Sequence, residues 1–508
     1  MDRAIFLNAF LFSPLAAALL ILLFCPKGNP VFARTAALLS GIFGFVLSIY
    51  IFTHYDPGGS QFQFQANANW LPALGIGYHI GIDGISAVMV LLTGILNLAA
   101  ILTSFAIKDR VKEYFIFLLL VEAGVAGCFV TLDLFFFIVF YELASIPMYF
   151  LIGMWGSDGQ QASRKWVTKK EFSALKLILY LQLGGAFILV SFFVLYFFSV
   201  KAGLPHRTFD FVELLHAHFS RIPELPKILF PVLFIAFGIE AGLVPFHTWL
   251  PDGHSAAPTA VSMLLAGVLL KMGAYGIIRF ACELLPSGAK LWLPLFAVIA
   301  VINILYGAYC ALKQYDIKYI IAYSSVSHMG IVFLGLATQN IMGWTGALFQ
   351  MFSHGIITAL LFMIAGTIYE KTHTRNILKL GGLAAKMPFL AVTFVLGGLA
   401  SLGLPGMSGF VAEFLTFMGT FGFERILMIL GLLGLILTAL YILLAVRKIF
   451  FGADNPSLNP EDAHAWWEKI PAAALIACTL LFGIVPGVIT SISQNSLISV
   501  IHLMKGIG

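Results

Sequence analysis

Long apolar runs separated by short polar turns follow one another along almost the whole chain. Most runs hold about 20 residues, the length that a helix needs to cross the apolar core of a bilayer. We therefore predict 14 membrane-spanning helices, near residues 4–24, 31–53, 84–106, 114–131, 134–154, 172–199, 228–250, 257–281, 291–311, 318–337, 343–369, 387–417, 424–446 and 471–491. A spanning helix satisfies its own backbone hydrogen bonds in lipid, whereas the short alternating segments of a membrane barrel do not occur here. The predicted fold class is an all-α integral membrane protein.

The composition supports this class and narrows the chemistry. Of the 508 residues, 60% are apolar and 10% are charged, and the mean hydropathy is +0.96. The basic residues behind the net charge of +5 lie in loops, so nucleic acid is not an expected partner. The five cysteines stand singly without metal-ligand spacing, which gives no support for disulfides, zinc or iron–sulfur clusters. Residues 4–24 could be mistaken for a signal peptide, but they lack a clear cleavage site, so we expect a retained helix.

The distribution of Lys and Arg predicts the orientation. If the N-terminus faces outward, the inner loops hold 18 of the 29 basic residues and the outer side holds nine. Because basic residues accumulate on the cytoplasmic side, we predict a bacterial inner-membrane protein with both termini outside. The inner loop 450–470 ends in Trp466 and Trp467, which suits a helix at the interface. Residues 492–508 are either a short surface helix or a frayed tail.

Two of the apolar runs are interrupted by glycine and proline. The seventh run breaks at Gly242–Pro245 within the charged stretch 236–272, and the twelfth breaks at Gly403–Gly409. The two breaks lie five spans apart, and an odd offset reverses the orientation of the second. Paired broken helices in inverted repeats are typical of transporters. Glycine and proline are common in membrane helices, so a chance pairing remains an alternative.

Four carboxylates within or beside the spans are candidate proton sites. Glu142 lies mid-span, where a lone charge costs about 2.5–3.5 kcal/mol on insertion scales. It is either a proton site or a structural hydrogen-bond partner of a neighbouring helix. Glu122, on the preceding span, is likewise an auxiliary proton site or a structural contact. Glu240 directly precedes the first break and Glu413 follows the second, where a broken helix admits water and allows proton exchange.

Two lysines and three histidines are further candidates. Lys271 lies too deep in its span to reach the surface easily, and a buried lysine changes its protonation readily, as a proton relay requires. Lys176 lies only about a turn inside its helix and could instead extend to the inner surface. His247, His328 and His354 are embedded or nearly so and suit proton transfer near neutral pH. A lone histidine is usually a packing residue, and these three lack zinc-ligand spacing.

Four charged residues near span ends have a structural interpretation that is at least as good as a functional one. For Asp83, Asp252, Asp316 and Lys318 we expect helix capping or pairing between loops.

Several segments in combination resemble subunit M of respiratory complex I, the counterpart of mitochondrial subunit 4. They are GIDGIS (81–86), LFFFIVFYELASIPMYFLIGMWG (134–156), FGIEAGLVPFHTWLPDGHSAAPTAVSMLLAGVLLKMGAYGIIRF (237–280), KQYDIKYIIAYSSVSHMG (313–330), FSHGIITALLFMIAG (352–366) and GLPGMSGFVAEF (403–414). The resemblance covers about residues 80–450. It implies an antiporter-like protein related to Mrp-type sodium/proton antiporters, with 14 helices and two inverted five-helix repeats. The implied divisions are three N-terminal helices in 1–112, the repeats in 113–282 and 283–449, and an inner loop with the last helix in 450–508.

The resemblance also implies roles for individual residues. Glu142 is the carboxylate of the fifth helix, Lys271 is the central relay lysine, and Glu413 is the distal acid. The three histidines are implied as connecting groups. One position departs from the family pattern, because the residue before the first break is usually a lysine paired with Glu142 and here is Glu240. Lys176 could supply the missing charge if it faces inward. Either the proton path is rewired, or the chain is a divergent paralogue with altered coupling.

From these observations we predict a proton-translocating membrane subunit of an NADH:quinone oxidoreductase. The chain has no nucleotide or cluster motif. NADH, FMN, iron–sulfur clusters and quinone are therefore expected in partner subunits, and no cofactor or metal is expected in this chain. The implied partners are other antiporter-like and small membrane subunits, the peripheral redox arm and the lipid bilayer. Alternatives are an Mrp-type cation/proton antiporter subunit, a membrane subunit of a hydrogenase-type complex, and a structural spacer whose proton path is broken at Glu240.

Overall fold

Helices dominate the computed structural model, which describes residues 3–26, 29–159 and 169–506. In chain order the helices are α1 (Ala4–Phe24), α2 (Pro30–His54), α3 (Gly84–Thr103), α4 (Val111–Val130), α5 (Leu134–Trp155), α6 (Lys170–Phe198), α7 (Phe211–Leu215), α8 (Glu224–Glu240), α9 (Trp249–Ala256), α10 (Thr259–Leu264), α11 (Leu270–Gly276), α12 (Pro286–Leu312), α13 (Ile317–Ala337), α14 (Ile341–Thr372), α15 (Leu383–Lys386), α16 (Pro388–Ser401), α17 (Ser408–Phe423), α18 (Arg425–Phe450), α19 (Trp466–Ile484) and α20 (Gly487–Lys505). Within the described ranges, 12 helical segments are long and apolar enough to cross a membrane.

Both predicted breaks are confirmed. Helix α8 ends at Glu240 and α9 begins at Trp249, while α16 ends at Ser401 and α17 begins at Ser408. Two residues after the end of each first half stands a glycine with positive φ, Gly242 or Gly403. A residue with a side chain disfavours this backbone conformation. If each broken pair is counted as one crossing, the 12 continuous segments become 14. The number of crossings and the inverted repeats remain predictions.

The helix that carries Lys271 runs without interruption over Thr259–Cys282 and lies at the centre of the molecule. It contains α10, α11 and two π-helical segments, Leu265–Leu269 and Ile277–Cys282. Its apolar window is completely buried, as is that of α14, whereas most of α18 and α19 faces outward. The Lys271 helix and α14 cross closely where Gly267 faces Gly355, because neither residue has a side chain to separate the backbones.

A two-stranded antiparallel hairpin was not predicted. Strands β1 (Gln63–Leu71) and β2 (Ile76–Ile82) occupy the loop that precedes α3. A single β-bridge between Ile80 and Thr131 links β2 to the residues just before α5. A second bridge, between Asp133 and Asp210, links the start of α5 to the segment before α7. The membrane part is all-α as predicted, and the hairpin is an addition outside the spans.

We call the side of the molecule that bears β1 and β2 the hairpin side. Both ends of the described chain lie there. Arg3 donates to the backbone oxygen of His54 at 3.3 Å, and Asn495 of α20 donates to that of Pro57 at 2.7 Å. Residues 492–505 of the segment predicted as a surface helix or frayed tail belong to α20. Which side of a membrane the hairpin side faces remains a prediction. Three of the basic residues that the sequence analysis assigned to inner loops, Lys27, Arg164 and Lys165, lie outside the described residues.

Candidate functional site

The crossing of the Lys271 helix with α14 brings Lys271 against His354. Lys271 Nζ lies 2.7 Å from His354 Nδ1 and donates to the Ala266 carbonyl at 2.5 Å. Lys271 is fully buried and His354 is 2% exposed. Gly355 follows His354 directly, so the close helix approach that glycine permits also sets the distance between the two nitrogens.

His328, on α13, continues this contact towards the second break. Its ring centroid lies 5.4 Å from that of His354, and its Nδ1 lies 3.6 Å from Glu413 Oε1 on α17. The Gln350 amide lies 3.1 Å from the same Nδ1, and the Ser401 hydroxyl lies 3.3 Å from Nε2. Nδ1 therefore accepts from the Gln350 amide, and the Glu413 carboxylate lies just beyond hydrogen-bond distance of the same nitrogen.

We call Lys271, His354, His328 and Glu413 the central line. All four residues are at most 3% exposed. They come from the Lys271 helix, α14, α13 and α17, which are far apart in sequence. The sequence analysis proposed all four, but it did not identify Gln350 and Ser401. These two neutral polar residues carry no charge signal in a membrane span, and only their position beside His328 distinguishes them.

The acids at the first break have a different environment. Glu142 Oε2 accepts from the neutral amide of Gln182 at 2.5 Å. Glu240 is 1% exposed, and neither of its oxygens has a hydrogen-bond partner among the described residues. The charges on the two carboxylates repel each other. Glu240 thus places a second acid within electrostatic reach of Glu142, at the position where the resemblance implies a lysine.

Lys176 does not provide the missing charge at these acids. Its Nζ lies 2.8 Å from Asp252 Oδ2 and donates to the Thr248 carbonyl at 2.7 Å. The other oxygen of Asp252 accepts from the Tyr319 hydroxyl at 2.8 Å. Asp252 was expected to cap or pair at a span end, and it does pair, with a lysine from α6. Lys176 is held at α9, the second half of the first broken helix.

Two other candidates lie off the central line. The ring of His247 is 3% exposed and lies 5.0 Å from the ring of Tyr306. Glu122 is 1% exposed and lines a small cavity with Ser40 and Asn97 between the N-terminal helices and α4. Its Oε1 has no hydrogen-bond partner among the described residues.

His254 was not proposed as a site residue, but it is fully buried near Lys271. It stacks on Phe362 with ring centroids 4.9 Å apart, and it interacts electrostatically with Lys271. Its position within the charged stretch 236–272 is the signal that could have identified it.

The three acids at span ends, Asp83, Asp252 and Asp316, form ion pairs or caps as expected, whereas Lys318 donates to the Ala257 carbonyl at 2.8 Å. Asp83 caps α3 by accepting from the Ser86 N–H at 2.8 Å, and Asp316 caps α13. Arg279 binds Asp83 at 2.7 Å and Glu283 at 2.8 Å. Burial raises the pKa of Glu283 to about 7, although the Arg279 charge opposes this shift. No group of three or more metal-ligating side chains occurs within the described ranges.

A broken-helix membrane fold around a buried line of titratable side chains is the architecture of an antiporter-type membrane protein. Residues 131–440 match the family model described as "NADH:quinone oxidoreductase/Mrp antiporter, TM", and the chain belongs to this family of multi-pass membrane proteins.

Relatives and solved structures agree with this assignment. The chain is 38% identical to NADH-quinone oxidoreductase subunit M of Rickettsia typhi over 97% of its own length and 96% of the relative. It is similar to a chain of respiratory complex I from Thermus thermophilus with bound NADH, with 29% identity, a TM-score of 0.86 and coverage of 99% and 100%. A chain of the Mrp complex from Dietzia sp. DQ12-45-1b shares the fold at 21% identity, with a TM-score of 0.83 and coverage of 100% and 99%.

Proposed function

We propose that this chain is a proton-translocating membrane subunit of a respiratory NADH:quinone oxidoreductase in a bacterial inner membrane. Family membership and the near full-length similarity to subunit M support the proposal. Electron transfer takes place in partner subunits that hold NADH, FMN, iron–sulfur clusters and quinone, and this chain holds no redox centre. The partners are other antiporter-like and small membrane subunits and the peripheral arm.

The observation that carries the proposal is the central line. A proton on Lys271 passes to His354 Nδ1 across 2.7 Å, then to His328, and then to Glu413 across 3.6 Å. The transfer between the two histidines, whose rings are 5.4 Å apart, requires ring rotation or a bridging water. Because Glu413 follows the second break, the proton leaves the line beside irregular backbone that can admit water.

Glu142 and Glu240 form the loading end in this mechanism. Because the charges of Glu142 and Glu240 repel each other, the pair favours a state in which one carboxylate is protonated and the other is ionised. Arrival of another charge nearby then displaces that proton towards Lys271. The Lys176–Asp252 pair holds α9, the second half of the same broken helix, and its opening or closing changes the field at the first break. His247 is proposed as the connecting group on this side.

The proposed mechanism assigns a different step to each of the two predicted repeats. Residues 113–282 would form the first five-helix unit and residues 283–449 the second. The first unit would load the proton and the second would release it. Residues 1–112 and 450–508 would flank them.

Replacing Lys271 with methionine tests the proposal, because it removes the group that starts the central line. In the intact complex we expect assembly and NADH oxidation to persist and the number of protons translocated per electron to fall. Proton uptake by inverted membrane vesicles and NADH oxidation are measured together. Lys386→Met is the matched control, because Lys386 contacts only loop groups such as Asp454 and the Leu458 carbonyl in the described structure. An unchanged proton-to-electron ratio in Lys271→Met contradicts the relay.

An Mrp-type antiporter subunit is the second candidate, favoured by the shared fold. It predicts sodium-dependent proton movement in vesicles that lack redox partners, whereas the proposed function predicts none. A hydrogenase-type complex would be identified by the subunits that co-purify with the chain.

A further inference from the structure

One amide side chain, that of Asn303 on α12, binds backbone groups that the first break leaves outside any helix. Asn303 is fully buried. Its Oδ1 accepts from the Val244 N–H at 2.6 Å, and its Nδ2 lies 3.4 Å from the Gly242 carbonyl oxygen. Both groups stand between the end of α8 at Glu240 and the start of α9 at Trp249. In a membrane such freed groups need partners within the protein, and Asn303 provides one.

The same amide also binds the helix that carries His328. Its Nδ2 donates to the Val326 carbonyl of α13 at 2.7 Å, and Val326 stands two residues before His328. An amide nitrogen has two hydrogens, so one can point to Val326 and the other to Gly242. Exchanging the oxygen and nitrogen of this amide would place a donor against the Val244 N–H and an acceptor against two carbonyls. The contacts therefore determine its orientation.

Close packing between α12 and α13 makes this connection stiff. An added Cβ at Gly307 of α12 would lie 2.6 Å from the Ser327 backbone nitrogen. One at Gly330 of α13 would lie 2.8 Å from the Ile304 backbone nitrogen. The Ser327 hydroxyl also donates to the Ile304 carbonyl at 2.9 Å. The backbone of α13 is thus held against α12 on both sides of His328, and an interior packed this closely transmits a displacement.

We propose that Asn303 is a positioning residue that fixes the first break to the part of α13 that bears His328. A displacement of the break then shifts the α13 backbone, and with it the 3.6 Å separation between His328 Nδ1 and Glu413 Oε1. Asn303 itself transfers no proton, because its amide is neutral. In the proposed mechanism it joins the unit that loads the proton to the unit that releases it. This inference rests on the proposed function.

The test is proton translocation by the intact complex carrying Asn303→Leu, a side chain of the same branching that makes no hydrogen bond. We expect assembly and NADH oxidation to persist and the number of protons translocated per electron to fall several-fold. Ser327→Ala is the matched control, because it removes a hydrogen bond between the same two helices without touching the break. Asn303→Asp should restore most of the pumping. It keeps an oxygen for the Val244 N–H and, when protonated, an O–H that can donate to Val326.

Asn303→Ala is the second variant should the leucine variant not assemble, because it leaves room for a water beside the Val244 N–H. We expect a similar loss of pumping. A loss no larger than that of Ser327→Ala in every Asn303 variant that assembles overturns the proposal.

A double-mutant cycle tests the connection itself. Glu240→Gln is measured in the wild type and in Asn303→Leu, and we expect a smaller fold-change in pumping in the second background. Removing the amide separates the break that Glu240 precedes from α13. Equal fold-changes in the two backgrounds would show that the break and the central line act independently.

The structure of the Asn303→Leu complex gives a readout that does not depend on pumping. We expect the separation between His328 Nδ1 and Glu413 Oε1 to change from 3.6 Å, and to stay the same in Ser327→Ala. Such a change would support the connection even if Lys271→Met left the proton-to-electron ratio unchanged and so contradicted the proposed function. An unchanged first break and His328 in Asn303→Leu would overturn the connection and leave the proposed function standing.

Discussion

The two broken helices share a backbone conformation at the break, but they differ in the side chains that hold the break in place. In both, the glycine with positive φ, Gly242 or Gly403, ends the first half, and the following N–H reaches the carbonyl five residues earlier. This hydrogen bond is a common helix ending. At the first break the backbone is held by Lys176, which donates to the Thr248 carbonyl at 2.7 Å, and by two neutral side chains. Asn303 of α12 accepts from the Val244 N–H at 2.6 Å, and the Trp249 indole donates to the Ile239 carbonyl at 2.9 Å.

The second break is fastened partly by the central line itself. Ser401, the last residue of α16, contacts His328, and Ser408, the first of α17, contacts Ser353 at 2.7 Å. The equivalent of Ser401 two residues before the glycine of the first break is Glu240, which bonds to nothing among the described residues. The first break is thus held by groups other than its own acid Glu240, whereas the equivalent residue at the second break, Ser401, contacts the central line.

The largest effect is expected from Glu413→Gln, which removes the titratable group that ends the central line. We expect proton translocation to fall by about 100-fold or more, because a positioned proton-transfer group typically contributes that much. Proton uptake by inverted vesicles is compared with that of Glu424→Gln, because Glu424 is an exposed cap of α18. Equal uptake in the two variants would show that the second break is not the exit.

Glu240→Lys tests whether the two acids of the first break are used as a pair. A lysine at this position can form an ion pair with Glu142, so no proton is needed to offset repulsion between two acids. We expect pumping to decrease, by less than about tenfold because the central line is intact. Glu240→Gln is the control that removes the charge without adding a cation. Pumping above the wild-type level in Glu240→Lys would instead support a spacer subunit whose path is interrupted at Glu240.

Alanine at the two glycines compares the breaks directly. The left-handed backbone costs a residue with a side chain about 1 kcal/mol at either site. An added Cβ at Gly403 would collide with Glu413 Oε2, whereas at Gly242 it would meet only the end of Leu250, at 2.7 Å. We therefore expect similar losses of thermal stability in the two variants, but reduced pumping only in Gly403→Ala. Equal pumping would mean that Glu413 can move without consequence.

The smallest effect is expected from Ser401→Ala. It removes one 3.3 Å contact to His328 and leaves the Gln350 contact in place. A single neutral hydrogen bond contributes about 1 kcal/mol, so we expect less than about a tenfold change in pumping. Thermal unfolding and proton uptake are measured together. A loss as large as that of Glu413→Gln would show that the hydroxyl transfers the proton itself.

Much of this organisation was predictable from local sequence. The apolar runs predicted the helices, and glycine with proline predicted both breaks, because these residues act on the backbone where they stand. Lys271 was predictable because a deep lysine cannot reach the surface. The side chains that each charged residue contacts were harder to predict. Lys176 was expected at the inner surface or beside Glu142, and it instead binds Asp252. The hairpin was missed because its short strands lie in a polar loop.

By itself, the sequence determined the class of protein, the positions of the breaks and the presence of an unusual acid at Glu240. These follow from hydrophobic length and from residue types, which are properties of single segments. Only the tertiary structure decided that Lys271, His354, His328 and Glu413 form one line and that Asn303 contacts both the first break and α13. Such contacts depend on how closely helices approach and how each is rotated, and these are set by packing between segments far apart in the chain.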